Sequence, residues 1–177
     1  MSTLLLIGAG LLLASFQRIM SVPRGFQTEN VISVELSLSS GKYQTAEQRI
    51  STYRRIDEAV ATLPGVRAAG YLLSMPLERP GYIMPAIRQG SENLPFTAQN
   101  MSMFIHASSG AFSALGVQLR KGRLFVEGEQ GLVAVMSETA AERVFGGEDT
   151  IGKKFRYWVD STKDHWFTVV GVVGDAR

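Results

Sequence analysis

One stretch of the sequence has the residue spacing of a phosphate-binding loop. Residues Gly147 to Lys154 read GEDTIGKK and match the pattern G-x-x-x-x-G-K, in which backbone amides and a lysine hold phosphate groups. The pattern also requires a Ser or Thr after the first lysine to bind magnesium, but Lys154 occupies that position. A phosphate loop leaves a strand and opens a helix, whereas this stretch follows a predicted helix and precedes a predicted strand. We therefore predict a turn without a nucleotide.

The remaining residue types that perform chemistry are few and scattered. His106 and His165 lie far apart and lack the H-x-x-x-H spacing of a metal-binding helix, so we expect solvated or hydrogen-bonded histidines. No serine stands in a G-x-S-x-G sequence, and the chain contains no cysteine. The sequence thus predicts no catalytic residue, no cofactor-binding residue and no metal ligand, and it rules out disulfides and thiolate metal sites.

The charged residues do not form a patch that would indicate a charged partner. The chain has 18 basic and 16 acidic residues, which gives a net charge of +2, and we predict no nucleic-acid partner. Glu127 with Glu129 and Glu148 with Asp149 form acidic pairs in predicted turns, where solvated charges are expected. The basic turn from Arg120 to Arg123 is interpreted as solvated in preference to a contact with anionic headgroups.

The N-terminal stretch Leu4–Phe16, LLLIGAGLLLASF, carries no charged side chain. As a helix it would be apolar on every face, and Gly8, Ala9 and Gly10 would suit close helix packing in a bilayer. A spanning helix needs about 20 mostly apolar residues, so we predict that residues 1–20 are the end of a transmembrane helix. The alternatives are a signal peptide and a buried helix of a soluble protein. No basic residue precedes the run, which argues against a signal peptide.

Residues 21–30 are predicted to be a connector, and residues 31–177 a single domain. Residues 31–38 alternate apolar and polar side chains, as in a half-buried strand. A helix over 46–63 follows, with Thr45 and Gln48 spaced as a capping box, and a strand is predicted at 66–74.

The rest of the domain is predicted to alternate strands with short helices. Residues 132–136 form a continuous apolar run typical of a buried strand, and Ser137 is placed to cap a helix over 138–145. The further predicted elements are a strand at 83–88, a strand at 97–107, a helix at 110–115, and strands at 154–159 and 166–173. This order predicts an α+β fold, a mixed β-sheet with helices packed on one face, preceded by the N-terminal transmembrane helix.

Several stretches taken together resemble a known family. The sequence is similar to MacB-type ABC transporter permeases of the FtsX superfamily, in particular the duplicated permeases of acidobacteria. The matching stretches are Gly8–Phe16, Pro23–Val31, Leu63–Val66, Ser74–Leu77, Gly110–Val117, Leu119–Phe125, Val133–Ala141, Gly147–Phe155 and Val169–Arg177. The resemblance implies that residues 31–177 are a MacB-like periplasmic core domain, incomplete at its C-terminus.

The resemblance also implies a non-enzymatic role in transport. It implies a permease subunit that relays ATP-driven conformational change across the membrane, for example in efflux. The implied partners are the lipid bilayer, a separate cytoplasmic ATP-binding subunit, and a second permease as a dimer or a paired half. It places the protein in the bacterial inner membrane, with residues after Met20 on the periplasmic side. A membrane-anchored periplasmic binding or adaptor domain that works without an ATPase is the alternative, and an enzyme with an unrecognised site is a third hypothesis.

Overall fold

The computed structural model describes residues 2–20, 25–38, 41–74, 81–91, 101–126, 128–158 and 165–176. The elements in these ranges, in chain order, are α1 (Ser2–Met20), α2 (Ala46–Ala61), β1 (Tyr82–Arg88), β2 (Met101–Phe104), α3 (Ser109–Ala114), β3 (Leu119–Gly122), β4 (Val133–Ser137), α4 (Glu138–Phe145), β5 (Lys154–Tyr157) and β6 (Phe167–Val173).

The six strands form one mixed sheet around β6. The strand order is β2-β1-β5-β6-β3, and β4 also pairs with β6. The β4–β6 pair is parallel, whereas all other pairs are antiparallel. The predicted α+β fold with a mixed sheet is therefore confirmed. The mostly apolar sequence of β6, FTVVGVV, fits its central place, because Val169, Val172 and Val173 are buried in the core.

The hydrophobic core lies between the sheet and α4. Phe155 on β5 is 1% exposed and Val169 on β6 is 0% exposed. Helix α4 contributes Ala141, Val144 and Phe145 to this core, because their spacing places them on one face of the helix. The helix spans the predicted residues: the Ser137 hydroxyl accepts a hydrogen bond of 3.3 Å from the amide of Ala140, and Gly146 ends the helix in the left-handed conformation.

Helix α2 also begins where the sequence predicts. The Thr45 hydroxyl accepts a hydrogen bond of 3.2 Å from the amide of Gln48. The Gln48 side chain in turn accepts one of 3.2 Å from the amide of Thr45. This reciprocal pair is the predicted capping box, and it satisfies two amides that the first turn of a helix leaves unpaired. The helix ends at Ala61, two residues before the predicted end.

Two predicted strands in the first half of the domain are wrong. Residues 31–38 belong to no strand of the described structure, and the side chains of Ile32 and Val34 are 90% and 72% exposed. Residues 66–74 form only one isolated bridge, between Leu72 and Ala107. Alternation of apolar and polar side chains defines two faces, but a strand also needs a neighbouring edge for its amides and carbonyls. Neither segment has such a ladder here.

Other predicted boundaries shift by a few residues. The predicted strand at 83–88 is β1, and the strand predicted at 97–107 is reduced to β2, although residues 92–100 lie outside the described ranges. The basic turn is also corrected, because Arg120 and Lys121 lie within β3. Helix α3 forms at the predicted place, with Ser108 at its N-cap position. Residues 75–80 and 159–164 likewise lie outside the described ranges.

The predicted N-terminal helix forms as α1, with exposed apolar side chains. Leu5 is 75% exposed, Leu12 is 74% exposed and Phe16 is 60% exposed. Within the described residues, no helix combines the length and the apolar character needed to cross a membrane. The helical conformation is confirmed, whereas a transmembrane helix is not evident in the structure.

Candidate functional site

A groove beside the sheet is the candidate site. Its cavity volume is about 640 Å³, and its walls come from α2, from β2 and the residues after it, and from β4. This volume lies within the range of about 300–1,000 Å³ found for small-molecule pockets. Among the described residues, β2 pairs only with β1 and β4 pairs only with β6. The groove therefore lies between two strands that each have one open edge.

Aromatic rings from three strands form the floor of the groove. The Phe104 ring on β2 lies 5.0 Å from the Tyr157 ring on β5 and 6.0 Å from the Phe167 ring on β6. Phe155 stacks on Phe167 at 5.6 Å, and His106 contacts the edge of Phe104 at 4.5 Å. Edge-to-face and stacked rings at these separations attract one another beyond simple burial. The floor is thus an interlocked apolar surface.

A few polar groups line the same groove. Ser102 is 8% exposed, and its hydroxyl finds no hydrogen-bond partner among the described residues. Such a buried, unpaired group costs about 1–3 kcal/mol. The carboxylates of Asp57, Glu58 and Glu129 lie at the walls. Hydrogen bonds from the Arg123 guanidinium and the Val126 amide hold the pKa of Glu129 below its usual value. An aromatic floor with a polar rim suits binding of an apolar segment or molecule.

Burial raises the pKa of Tyr157 in this floor to about 12, from an ordinary value of 10.0. The phenol stays protonated in the folded chain at a pH where it ionises in the unfolded chain. Its contribution to the free energy of unfolding is therefore complete below about pH 10 and is lost as the pH rises through 12. Between pH 8 and pH 11, we expect Tyr157 to account for a loss of about 1.4 kcal/mol.

The variant Tyr157→Phe removes this ionisation and keeps the ring. Denaturant unfolding of the wild type and the variant at pH 8 and pH 11 measures the difference in pH dependence. The variant should lose less stability than the wild type over this interval. The exposed Tyr82, as Tyr82→Phe, is the matched control and should behave as the wild type. Equal pH dependence in all three chains would contradict the prediction.

The stretch that resembles a phosphate loop is a turn between α4 and β5. Helix α4 ends at Phe145 and β5 begins at Lys154, so the stretch does not run from a strand into a helix. Glu148 pairs with Lys153 and lies 3.8 Å from the Arg88 guanidinium. The hydrogen bond from Lys153 is the main cause that lowers the pKa of Glu148. The predicted turn is confirmed, and its lysine binds a carboxylate of the same turn.

The other singled-out residues do not come together. His106 lies in the groove, and His165 lies just before β6. In the part of the chain that is described, no three His, Asp or Glu side chains are grouped so that they could hold a metal ion. Two of the basic side chains on and after β3 face carboxylates: Arg120 lies 3.7 Å from Glu138, and Arg123 pairs with Glu129. Glu127 falls outside the described residues.

Sequence reasoning missed the groove itself. Phe104 comes from β2, which is distant in the chain from β5 and β6, the strands of Tyr157 and Phe167, and the sequence shows each only as an aromatic residue in a strand. Their meeting depends on the pairing of β5 with both β1 and β6. The only local signal was the aromatic content of β5 and β6, which is equally typical of core strands.

Comparison with known proteins identifies the family. The family model of the MacB-like periplasmic core domain matches residues 2–177. The chain belongs to this family. No curated protein matches the sequence of this MacB-like domain.

Solved structures with a similar fold match this MacB-like chain over only part of their own length. A domain of a putative permease from Porphyromonas gingivalis has 21% identity and a TM-score of 0.50, and covers 69% of this chain and 50% of its own. The periplasmic region of MacB from Actinobacillus actinomycetemcomitans has 19% identity and a TM-score of 0.48, with coverage of 70% and 51%.

The extracellular domain of the noncanonic ABC-type transporter YknZ from Gram-positive bacteria has 16% identity and a TM-score of 0.43, with coverage of 70% and 57%. The chain therefore spans about half the length of these structures. At such identities, the similarity to the Porphyromonas gingivalis permease domain supports the fold alone.

Proposed function

We propose that this MacB-like chain is the extracytoplasmic domain and membrane anchor of an ABC transporter permease subunit. In this role it relays ATP-driven conformational change across the bacterial inner membrane, as in efflux, and catalyses no reaction itself. The observation that carries the proposal is the family match over residues 2–177. The groove, with its aromatic floor, supports a binding role better than a catalytic one.

The surface of α1 supports the proposed anchor. Leu5, Leu12 and Leu13 are 75%, 74% and 60% exposed, and in water such a surface would drive association. In a bilayer the same surface would be solvated by acyl chains. We propose that α1 is part of the membrane helix and that the residues after Met20 lie on the periplasmic side. The proposed partners are the lipid bilayer, a cytoplasmic ATP-binding subunit, and a second permease or permease half.

The groove favours one alternative function. A periplasmic binding or adaptor domain, anchored in the membrane but independent of an ATPase, would use the aromatic floor to hold an apolar partner. The two functions differ in their response to nucleotide. The permease domain should change conformation when ATP binds to its partner subunit, whereas the adaptor domain should change only when its ligand is added.

The test uses the absence of cysteine from the sequence. A single cysteine at Val126, which is 58% exposed, is labelled with an environment-sensitive dye in native membranes that contain the tagged chain. We expect a fluorescence change with MgATP and none with MgADP. A second chain carries the dye at Leu63, which is 55% exposed and lies after α2. If the chain is in the membrane and the dye fluorescence does not change with MgATP at either position, the proposal is overturned in favour of the adaptor.

A further inference from the structure

The chain that follows α1 meets the domain at a small set of residues, Gly25, Gln27, Gly116, Thr139 and Asp175, which we call the clamp. Gly25 has a φ of +75°, and a Cβ added there would overlap the backbone carbonyl oxygen of Asp175. Glycine is thus required for two reasons, the left-handed backbone and the close approach of a second backbone. The connector touches the end of the β6 segment at this point.

Gln27 fastens the same connector to α3. Its amide donates a hydrogen bond of 2.7 Å to the carbonyl of Leu115, which is 8% exposed. Its side chain lies across Gly116, where an added Cβ would come within 2.7 Å of the Gln27 Cδ. Gly116 itself has a φ of +63°. The connector is therefore held by a backbone hydrogen bond and by a side chain that covers the turn after α3.

Asp175 extends the clamp to α4. Its carboxylate accepts a hydrogen bond of 2.9 Å from the amide of Thr139 and another from the Thr139 hydroxyl. A carboxylate at this place satisfies an unpaired amide of the first helical turn and complements the helix dipole. Asp175 follows β6, which pairs with β3, β4 and β5. The clamp thus connects the N-terminal connector to the central strand and to the helix that packs the core.

The chain on either side of the clamp packs far less. Leu12 in α1 is 74% exposed, and Ile32 and Val34 after the connector are 90% and 72% exposed. A displacement of α1 would therefore reach the domain where Gly25 approaches Asp175 and Gln27 bonds to Leu115. We propose that the clamp is the mechanical link that fixes α1 relative to the domain and passes its displacement to β6 and α4. The importance of the clamp for transport rests on the proposed function. The mechanical link between α1 and the domain does not depend on that function.

The test compares two glycines that share the left-handed backbone. Gly25 and Gly90 have φ values of +75° and +87°, but a Cβ at Gly90 would meet no atom within 4 Å. Gly25→Ala and Gly90→Ala therefore impose similar backbone strain, and only the first forces the clamp apart. Spin labels at Leu12→Cys and Val126→Cys, in the full chain in lipid nanodiscs, report the distance between α1 and the domain.

We expect Gly25→Ala to broaden the distribution of distances between the two labels, because a released connector of ten residues behaves as a flexible linker with a root-mean-square span of about 17 Å. Gly90→Ala should leave the distribution as in the unsubstituted chain. Unchanged width in Gly25→Ala, or equal broadening in both variants, would overturn the inference.

A milder variant keeps the test decisive if Gly25→Ala fails to fold. Gln27→Ala preserves the amide that bonds to Leu115 and removes only the side chain that covers Gly116. It should broaden the distribution less than Gly25→Ala and more than Gln44→Ala, a control at an exposed position before α2. A distribution as narrow as that of Gln44→Ala would also overturn the inference. No nucleotide enters these measurements, so they can succeed or fail independently of the response to ATP.

Discussion

Replacing Phe155 by alanine is expected to lower the free energy of unfolding by about 3–5 kcal/mol. The ring is 1% exposed and contacts Tyr157 and Phe167 at 5.4 and 5.6 Å. It also belongs to the core cluster that α4 covers. Truncation removes the transfer free energy of the ring and leaves a cavity that the surrounding strands can fill only in part. Because domains are stable by about 5–15 kcal/mol, this loss would be a large part of the total.

Denaturant unfolding of the full chain in mild detergent measures this loss. The control is Tyr82→Ala on β1, because Tyr82 is also an aromatic strand residue but is 64% exposed. We expect the control to change the free energy of unfolding by about 1 kcal/mol or less. If the two variants were equally stable, the core would not lie between β5 and α4 as described.

The second half of the domain could be predicted closely because its signals are local. The apolar run at 132–136, the capping serine at Ser137 and the glycine at Gly146 each act within a few residues of the chain. The same holds for the capping box at Thr45. The turn from Gly147 was also predictable, since a missing Ser or Thr and the order of elements are both visible in the sequence.

The rest depends on contacts between distant segments. The alternation over 31–38 indicates two faces, but it cannot indicate whether a partner edge is present, and in this structure the segment forms no strand. The groove arises where Phe104, Tyr157 and Phe167 meet across three strands. The clamp arises from Gly25 against Asp175, two residues at opposite ends of the sequence. A glycine in the sequence suggests a turn, but it does not name the backbone that approaches it.

Gly171→Ala is expected to lower the free energy of unfolding by about 3 kcal/mol, at the upper end of the range for overpacked cores. Gly171 lies within β6, where alanine would ordinarily stabilise the strand by reducing the freedom of the unfolded chain. At this position, however, an added Cβ would overlap the backbone carbonyl oxygen of Arg123 and lie 3.4 Å from the Leu119 Cδ1. The pairing of β3 with β6 also shifts register between Leu119 and Lys121, and a glycine within a strand often marks such an irregularity or a close approach of another backbone.

Gly174→Ala is the matched control for this effect. Gly174 lies just after the same strand, and the nearest atom to an added Cβ is the Arg120 Nε at 3.7 Å, an ordinary contact. We expect this variant to stay within about 0.5 kcal/mol of the unsubstituted chain. Hydrogen exchange should locate the damage in Gly171→Ala, with faster exchange at the Arg123 amide, which donates to the carbonyl of Val170 at 2.9 Å. Equal stability of the two variants would mean that β3 does not lie against β6 at Gly171, and the close approach that makes glycine necessary there would be refuted.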